Sequence, residues 1–255
     1  MTSEHIRIVT RGDDLGSCRA ANHAIYEAFD RGIMRNTSVM VPAPEFEHGA
    51  EVFADVPDIC LGLHITLNAE WDAVKWGPVL PPEQVPSLVN EDGNFPRTAQ
   101  VLHDRDASTE EMIAEVQAQL DKARAHGLDI RYMDAHCGVT WLGDLEERVA
   151  RLAEREGLIF QPEVKRLPRL DDPPEDPIER VLAQIKAAEP GTYLMVSHPG
   201  YYCAEMRRLS HTGTTGDQVA WSRDAQRRRF TDRSILEYVM THDIHPIRYD
   251  EIDTQ

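Results

Sequence analysis

Short β-rich apolar runs alternate with amphipathic helical patterns along most of this chain, and that alternation restricts it to very few architectures. Strands are expected at Ile6 to Thr10, Thr37 to Val41, Ile59 to Leu67, Ile130 to Asp134, Leu158 to Phe160, Tyr193 to Val196 and Ile244 to Tyr249. Helices are expected between them: from a Ser17 cap to about Arg31, near Phe46 to Ala54, from Ser108 to Gly127, from Leu145 to Glu156, after Ile178, and from Arg223 to Met240. Ser108 opens the third of these with a capping box to Glu111, and Ile113, Val116 and Leu120 keep helical spacing. About seven β/α units result. Such alternation produces a parallel sheet covered by helices, either open and doubly wound or closed toward a barrel.

The rhythm breaks once. From Asn68 to Ala107 the chain is rich in Pro, Gly, Asp and Trp and too long for an ordinary connection, so an insertion or lid is expected there. A second Pro and Asp cluster at Pro168 to Pro177 reads as a solvated loop. At 255 residues, without a Ser/Gly linker, the chain is expected to form one domain over 1–255.

Polar residues interrupt the apolar runs at four strand ends. Asp13 and Asp14 lie in Thr-Arg-Gly-Asp-Asp-Leu-Gly, His64 in Leu-Gly-Leu-His-Ile-Thr, His136 in Tyr-Met-Asp-Ala-His, and His198 in Val-Ser-His-Pro-Gly. Any one of them has an ordinary role: Asp caps helices, and a histidine on an apolar strand is usually a satisfied core residue. Two adjacent carboxylates, however, repel each other and call for cationic or metallic company. Together the set describes one site, because a carboxylate and two imidazoles leave positions on a divalent ion open to water and substrate. An open sheet gathers its site at one crevice, whereas a barrel draws residues from many strand ends, so the spread of these four favours a distorted (β/α) barrel.

Composition limits the partners. Lys+Arg 27 against Asp+Glu 44 gives a formal net charge of −17, which disfavours nucleic acid and anionic membranes and suits a neutral or cationic small molecule. Cys18, Cys60, Cys137 and Cys203 are scattered without a paired motif, as expected of reduced thiols in a cytoplasmic protein. Met1 to Arg7 lacks a basic and apolar leader, and no stretch is apolar enough to span a bilayer. Self-association is left open.

Gly-Asp-Asp-Leu-Gly followed by Asn22 and Ile25, then Gly-Leu-His-Ile-Thr-Leu, Asp-Ala-His and Ser-His-Pro-Gly, in that order over nearly the whole chain, resembles the YdjC-like carbohydrate deacetylases. That family is related to the NodB-type polysaccharide deacetylases and has a distorted β/α barrel. The resemblance implies Asp14, His64 and His136 as ligands of one divalent ion (Mg²⁺ or Zn²⁺, with Mn²⁺ or Co²⁺ as alternatives), Asp13 as general base and His198 as general acid. The implied reaction is removal of an N-acetyl group from a small amino sugar or oligosaccharide. Two motifs depart from the family: Arg11-Gly12 stands where Asn-Ala is usual, with Leu15 in place of an aromatic, and Asp134-Ala135-His136-Cys137-Gly138 lacks a second histidine. Those neighbours are expected to line the pocket, so the resemblance carries the metal chemistry but not the family's N,N'-diacetylchitobiose.

Further substrate contacts are expected from Arg11, from Trp71, Trp76, Trp141 and Tyr201, whose rings can stack on sugars, and from His211, a rival to His198 as acid. Arg223 is expected to orient Asp13. Cys137 is read as a ligand for a soft metal or a small buried hydrophobe, and Arg227-Arg228-Arg229 as a solvated helix face. The competing readings are a phosphoesterase on the same metal site and an inactive carbohydrate-binding protein.

Overall fold

The computed structural model describes residues 5–160 and 164–252. Its strands are β1 (Ile6–Leu15), β2 (Asn36–Val39), β3 (Cys60–Ile65), β4 (Ile130–Ala135), β5 (Ile159–Phe160), β6 (Lys165–Arg166), β7 (Gly191–Ser197) and β8 (Ile244–Ile247). Its helices are α1 (Arg19–Asp30), α2 (Phe46–Phe53), α3 (Ala99–Asp104), α4 (Thr109–Ala125), α5 (Leu145–Glu156), α6 (Pro177–Lys186), α7 (Gly216–Thr231) and α8 (Arg233–Thr241). Seven strands follow the order β5-β4-β3-β2-β1-β7-β6, and every pair is parallel. β8 joins β1 at Ile6 to Val9, the residues that β7 also pairs, so β8 shares the other edge of β1 with β2, which pairs further along at Arg11 to Leu15. β5 and β6 are not paired with each other, and the sheet is a curled, open barrel.

β2 and β3 are buried at every position, as strands covered on both faces must be. Gly62 has a packing reason: a Cβ there would stand 2.2 Å from the Tyr132 ring, whose hydroxyl pairs with Ser38 Oγ at 2.8 Å.

Several elements differ from the sequence reading. β1 runs on through the Asp pair to Leu15 instead of ending at Thr10, because β7 pairs it as far as Gly12 and β2 as far as Leu15. Cys18 rather than Ser17 caps α1, its Sγ accepting from Ala21 N–H. The expected helix from Arg223 to Met240 is two helices, α7 and α8, because extended Asp232 ends the first and caps the second through Ser234 N–H. Ser108 Oγ accepts from Glu111 N–H, but the Glu111 carboxylate turns to the N–H and hydroxyl of Ser87 and the box is only half made. β6, two exposed residues, had no signature in the sequence.

Residues 68–107 carry their own buried side chains, among them Trp71, Trp76, Val85, Leu88, Phe95 and Leu102, all joined to the main core. Glu115 on α4 accepts from the N–H groups of Val79 and Leu80 at 2.8 and 3.0 Å and fastens this segment to the barrel. Among the described residues, no helix is long and apolar enough to cross a membrane.

Candidate active site

Side chains of a regular strand alternate between faces, so adjacent aspartates should point apart. Asp14 avoids this by adopting φ 70°, and the β1–β2 register slips between Gly12 and Leu15. Asp and Asn tolerate this left-handed backbone better than most residues. Consequently both carboxylates reach His64, each within one of two buried clusters: Asp14, His64 and His136, and Asp13, His64 and Asp134.

In the first cluster Asp14 Oδ1 stands 3.6 Å from His64 Nε2 and 3.4 Å from His136 Nδ1. Neither contact is a hydrogen bond, and Asp14 Oδ1 is a buried oxygen without a hydrogen-bond partner. Ligand atoms set tetrahedrally at roughly 2.0–2.1 Å from one ion lie about 3.3 Å apart. The three groups therefore fit a divalent cation. Burial pushes the Asp14 carboxyl up, but Arg223, His198 and His136 outweigh it and hold it well below the usual carboxylate range.

Each imidazole is held from behind by a carboxylate. Asp134 Oδ1 lies 3.0 Å from His64 Nδ1, and Glu70 Oε2 lies 2.9 Å from His136 Nε2. A proton on each of these nitrogens leaves His64 Nε2 and His136 Nδ1, which face Asp14, with their lone pairs free. Carboxylate–histidine–metal relays are built this way. Burial alone would lower both histidines. Instead Asp134 and Asp13 raise His64, and Glu70 and Asp14 raise His136 well above its ordinary value, so the metal-free site draws in protons where an ion would supply the charge.

Arg11 joins the second cluster. Its Nη2 donates to Asp13 Oδ2 at 2.9 Å, its Nη1 lies 2.8 Å from Asp134 Oδ2, and Nη1 also donates to Tyr249 at 3.0 Å. The Nε–Asp13 Oδ1 contact, at 2.7 Å, is an ion pair without a hydrogen bond. Burial works against the guanidinium charge, but Asp13 and Asp134 raise its pKa well above normal. Burial likewise pushes Asp134 up, yet Arg11 and His64 bring it below its ordinary value.

Arg223 pairs with Asp14 Oδ2 at 3.1 Å, not with Asp13 as expected; Arg11 has taken that position. His198 follows β7. The Gln226 amide oxygen accepts from the His198 backbone N–H at 2.8 Å and lies 3.0 Å from Nδ1. Since a backbone N–H can only donate, Gln226 presents oxygen there, so Nδ1 carries a proton and Nε2 is the free nitrogen. Burial lowers the His198 pKa, Asp14 opposes this and Arg223 adds to it.

The aromatic residues divide. Trp71 stacks on His211 with centroids 5.7 Å apart, and Asp72 N–H bonds Ser210 C=O at 2.8 Å. Residues 68–72 follow β3 and residues 198–215 follow β7, so this clasp spans the C-terminal ends of β2 and β1, where the Asp pair lies. Buried Trp76 donates to Asn68 C=O at 2.8 Å and meets the His136 ring edge-on at 6.4 Å. Trp141 is exposed beside His103. Tyr201 is engaged elsewhere, its hydroxyl on Glu27 at 3.0 Å and its ring under Arg227. Arg227, Arg228 and Arg229 are partly buried rather than solvated, because Glu27 and Asp224 draw Arg227 inward. Cys137 is exposed, not a buried hydrophobe, and all four cysteines are free thiols.

Glu70 and Gln226 escaped the sequence reading because nothing in their local pattern marks them. Asp134 could have been found: it stands two residues before His136, on a strand whose neighbour β3 pairs it directly with His64. A cavity of about 250 Å³ between the loops after β1 and β2, residues 73–75 and residues 205–209 is lined by none of the residues of the two buried clusters.

The profile of the YdjC-like protein family matches residues 7–240. A carbohydrate deacetylase of Thermoanaerobacter pseudethanolicus is 27% identical over 253 residues, 93% of this chain and 95% of that protein. One from Geobacillus stearothermophilus is 32% identical over 167 residues, 64% of each chain. Among solved structures, a protein of Enterococcus faecalis described as a candidate for cellobiose-phosphate cleavage superposes with a TM-score of 0.79 at 20% identity. It covers 98% of this chain and 100% of its own, a likeness of fold.

Proposed function

The chain belongs to the YdjC-like protein family, and from that premise we propose that it is a metal-dependent hydrolase removing the N-acetyl group from a small acetylated amino sugar. The observation that carries the reading is Asp14 Oδ1, a buried oxygen without a hydrogen bond, set 3.4 and 3.6 Å from two imidazole nitrogens. Asp14, His64 and His136 would hold the ion. When bound there, a divalent cation would supply Lewis-acid polarisation of the acetamide carbonyl and a lowered pKa for the attacking water.

The protein's own groups perform the proton transfers. Asp13 accepts the proton of the attacking water, and its contacts with Arg11 hold the carboxylate in place. His198, oriented by Gln226, donates from Nε2 to the nitrogen as its bond to the carbonyl carbon breaks, releasing acetate and a free amine. Arg223 holds Asp14 from the other side. Trp71 is buried beneath His211, so of that stacked pair His211 is the ring left partly exposed to a substrate.

Charge argues against a phosphoesterase. Asp13, Asp14, Asp134 and Glu70 outnumber Arg11 and Arg223, and both guanidiniums are already bound to carboxylates. A neutral acetamide meets no such repulsion. The test is acetate release from a panel of N-acetylated sugars, with chelation and add-back of Mg²⁺, Zn²⁺, Mn²⁺ and Co²⁺. In Asp13→Asn the metal content should stay near wild type while kcat falls by about two to four orders of magnitude. A variant that is metal-free, or fully active, overturns the assignment of Asp13.

A further inference from the structure

His136 presents ligands on both sides of its ring. Nδ1 faces Asp14 and His64, whereas Nε2 faces outward to Glu70 Oε2 at 2.9 Å and Cys137 Sγ at 3.4 Å. Glu70, His136 and Cys137 form a ligand-quality group of their own, with one atom from each lying within 4.8 Å of the others. Thiolate, imidazole and carboxylate are the three side-chain types that bind zinc.

Local geometry explains how the thiol comes to be there. Ala135 ends β4, and Cys137 and Gly138 both take left-handed backbone angles, φ 50° and 65°. This tight turn folds Sγ back toward the ring of the preceding histidine. Cys137 is solvent-exposed and Glu70 half-buried, so an ion arriving from solution meets these two before the buried imidazole. A thiol in place of a hard oxygen ligand selects zinc or another thiophilic ion over magnesium.

We propose that Glu70, His136 and Cys137 form an outer site for a thiophilic divalent cation, separate from the inner Asp14–His64–His136 site and competing with it for the His136 ring. Loading the outer site releases the thiol proton of Cys137 to solvent and moves the single N–H proton of His136 from Nε2 to Nδ1, so the ring stays neutral. A neutral imidazole has one lone pair. When Nε2 gives it to the outer ion, Nδ1 carries the proton and turns it toward Asp14, and the inner set loses a ligand. Excess zinc therefore inhibits. The inhibition rests on the deacetylase reading; the ion site does not.

Cobalt distinguishes the two sites, because the inner set contains no sulfur. Metal-stripped full-length protein titrated with cobalt(II) chloride to excess should develop a near-ultraviolet thiolate-to-cobalt charge-transfer band. Cys137→Ser should lose that band while keeping the visible cobalt spectrum of the inner site, and His64→Ala should keep it. No band at any loading, a band that survives Cys137→Ser, or one that vanishes in His64→Ala overturns the outer site. In the activity arm, excess zinc should suppress acetate release by the one-equivalent wild-type enzyme but not by Cys137→Ser. Equal inhibition of both overturns the competition. Absence of acetate release from any substrate, with the cobalt band intact, counts against the deacetylase reading and leaves the site standing.

Discussion

Replacing Arg11 by Met keeps most of the stem's volume but removes the only guanidinium bonded to Asp13 and Asp134 among the described contacts. The side chains of Arg11, Asp13 and Asp134 are 11%, 4% and 12% exposed, so water cannot take over as partner. Breaking a buried ion pair by deleting one member costs about 3–5 kcal/mol, because the other charge is left stranded. For a chain of this size, about 2–4 °C per kcal/mol places the Tm of Arg11→Met about 6–20 °C below wild type. The comparison is made by thermal unfolding of metal-stripped proteins at pH 8, since a bound ion would itself add stability to both.

The pH dependence carries a sign. In the wild type Asp134 and Asp14 have lowered folded pKa values, so their stabilisation is present above about 3.9, the unfolded value, and is lost as pH falls through the folded ones. Without Arg11, burial of the stranded Asp134 carboxylate favours its protonation. The deficit of Arg11→Met should therefore shrink between pH 8 and pH 5. Arg11→Lys should be intermediate, because a point charge cannot serve two carboxylates as a fork does. A Tm for Arg11→Met within about 2 °C of wild type at pH 8, where the scale above demands at least three times that, would refute the buried ion network.

Two other outcomes are expected. Because His64 and His136 have raised folded pKa values, their contribution in metal-free protein is fully present below about pH 6.5 and lost as pH rises through the folded values; chemical denaturation across pH 6 to 9 should show that decline, and saturating metal should remove it. His198 must be protonated to act as acid, and burial lowers its pKa, so the alkaline limb of kcat should lie below the ordinary histidine value; Gln226→Glu should move that limb to higher pH, and an unmoved limb transfers the role to His211 or to water.

Legible in the sequence were the parallel β/α architecture and the polar residues that interrupt its strand ends. Both are local or periodic properties: strands buried on two faces read as apolar runs, and a charged or imidazole residue at the end of such a run stands out. The sequence could not determine what depends on pairing between distant segments. β1 continues past Thr10 because β7 and β2 bond to it, and only that extension, with the left-handed turn at Asp14, brings two adjacent carboxylates to one side. Tertiary structure likewise decided that Arg11 rather than Arg223 holds Asp13, that Glu70 reaches His136 from a stretch with no regular pattern, and which nitrogen of each histidine faces Asp14. Hydrogen bonds and ion pairs across 66 and 70 residues of chain are choices among many partners of equal chemistry, and only the packed fold removes the alternatives.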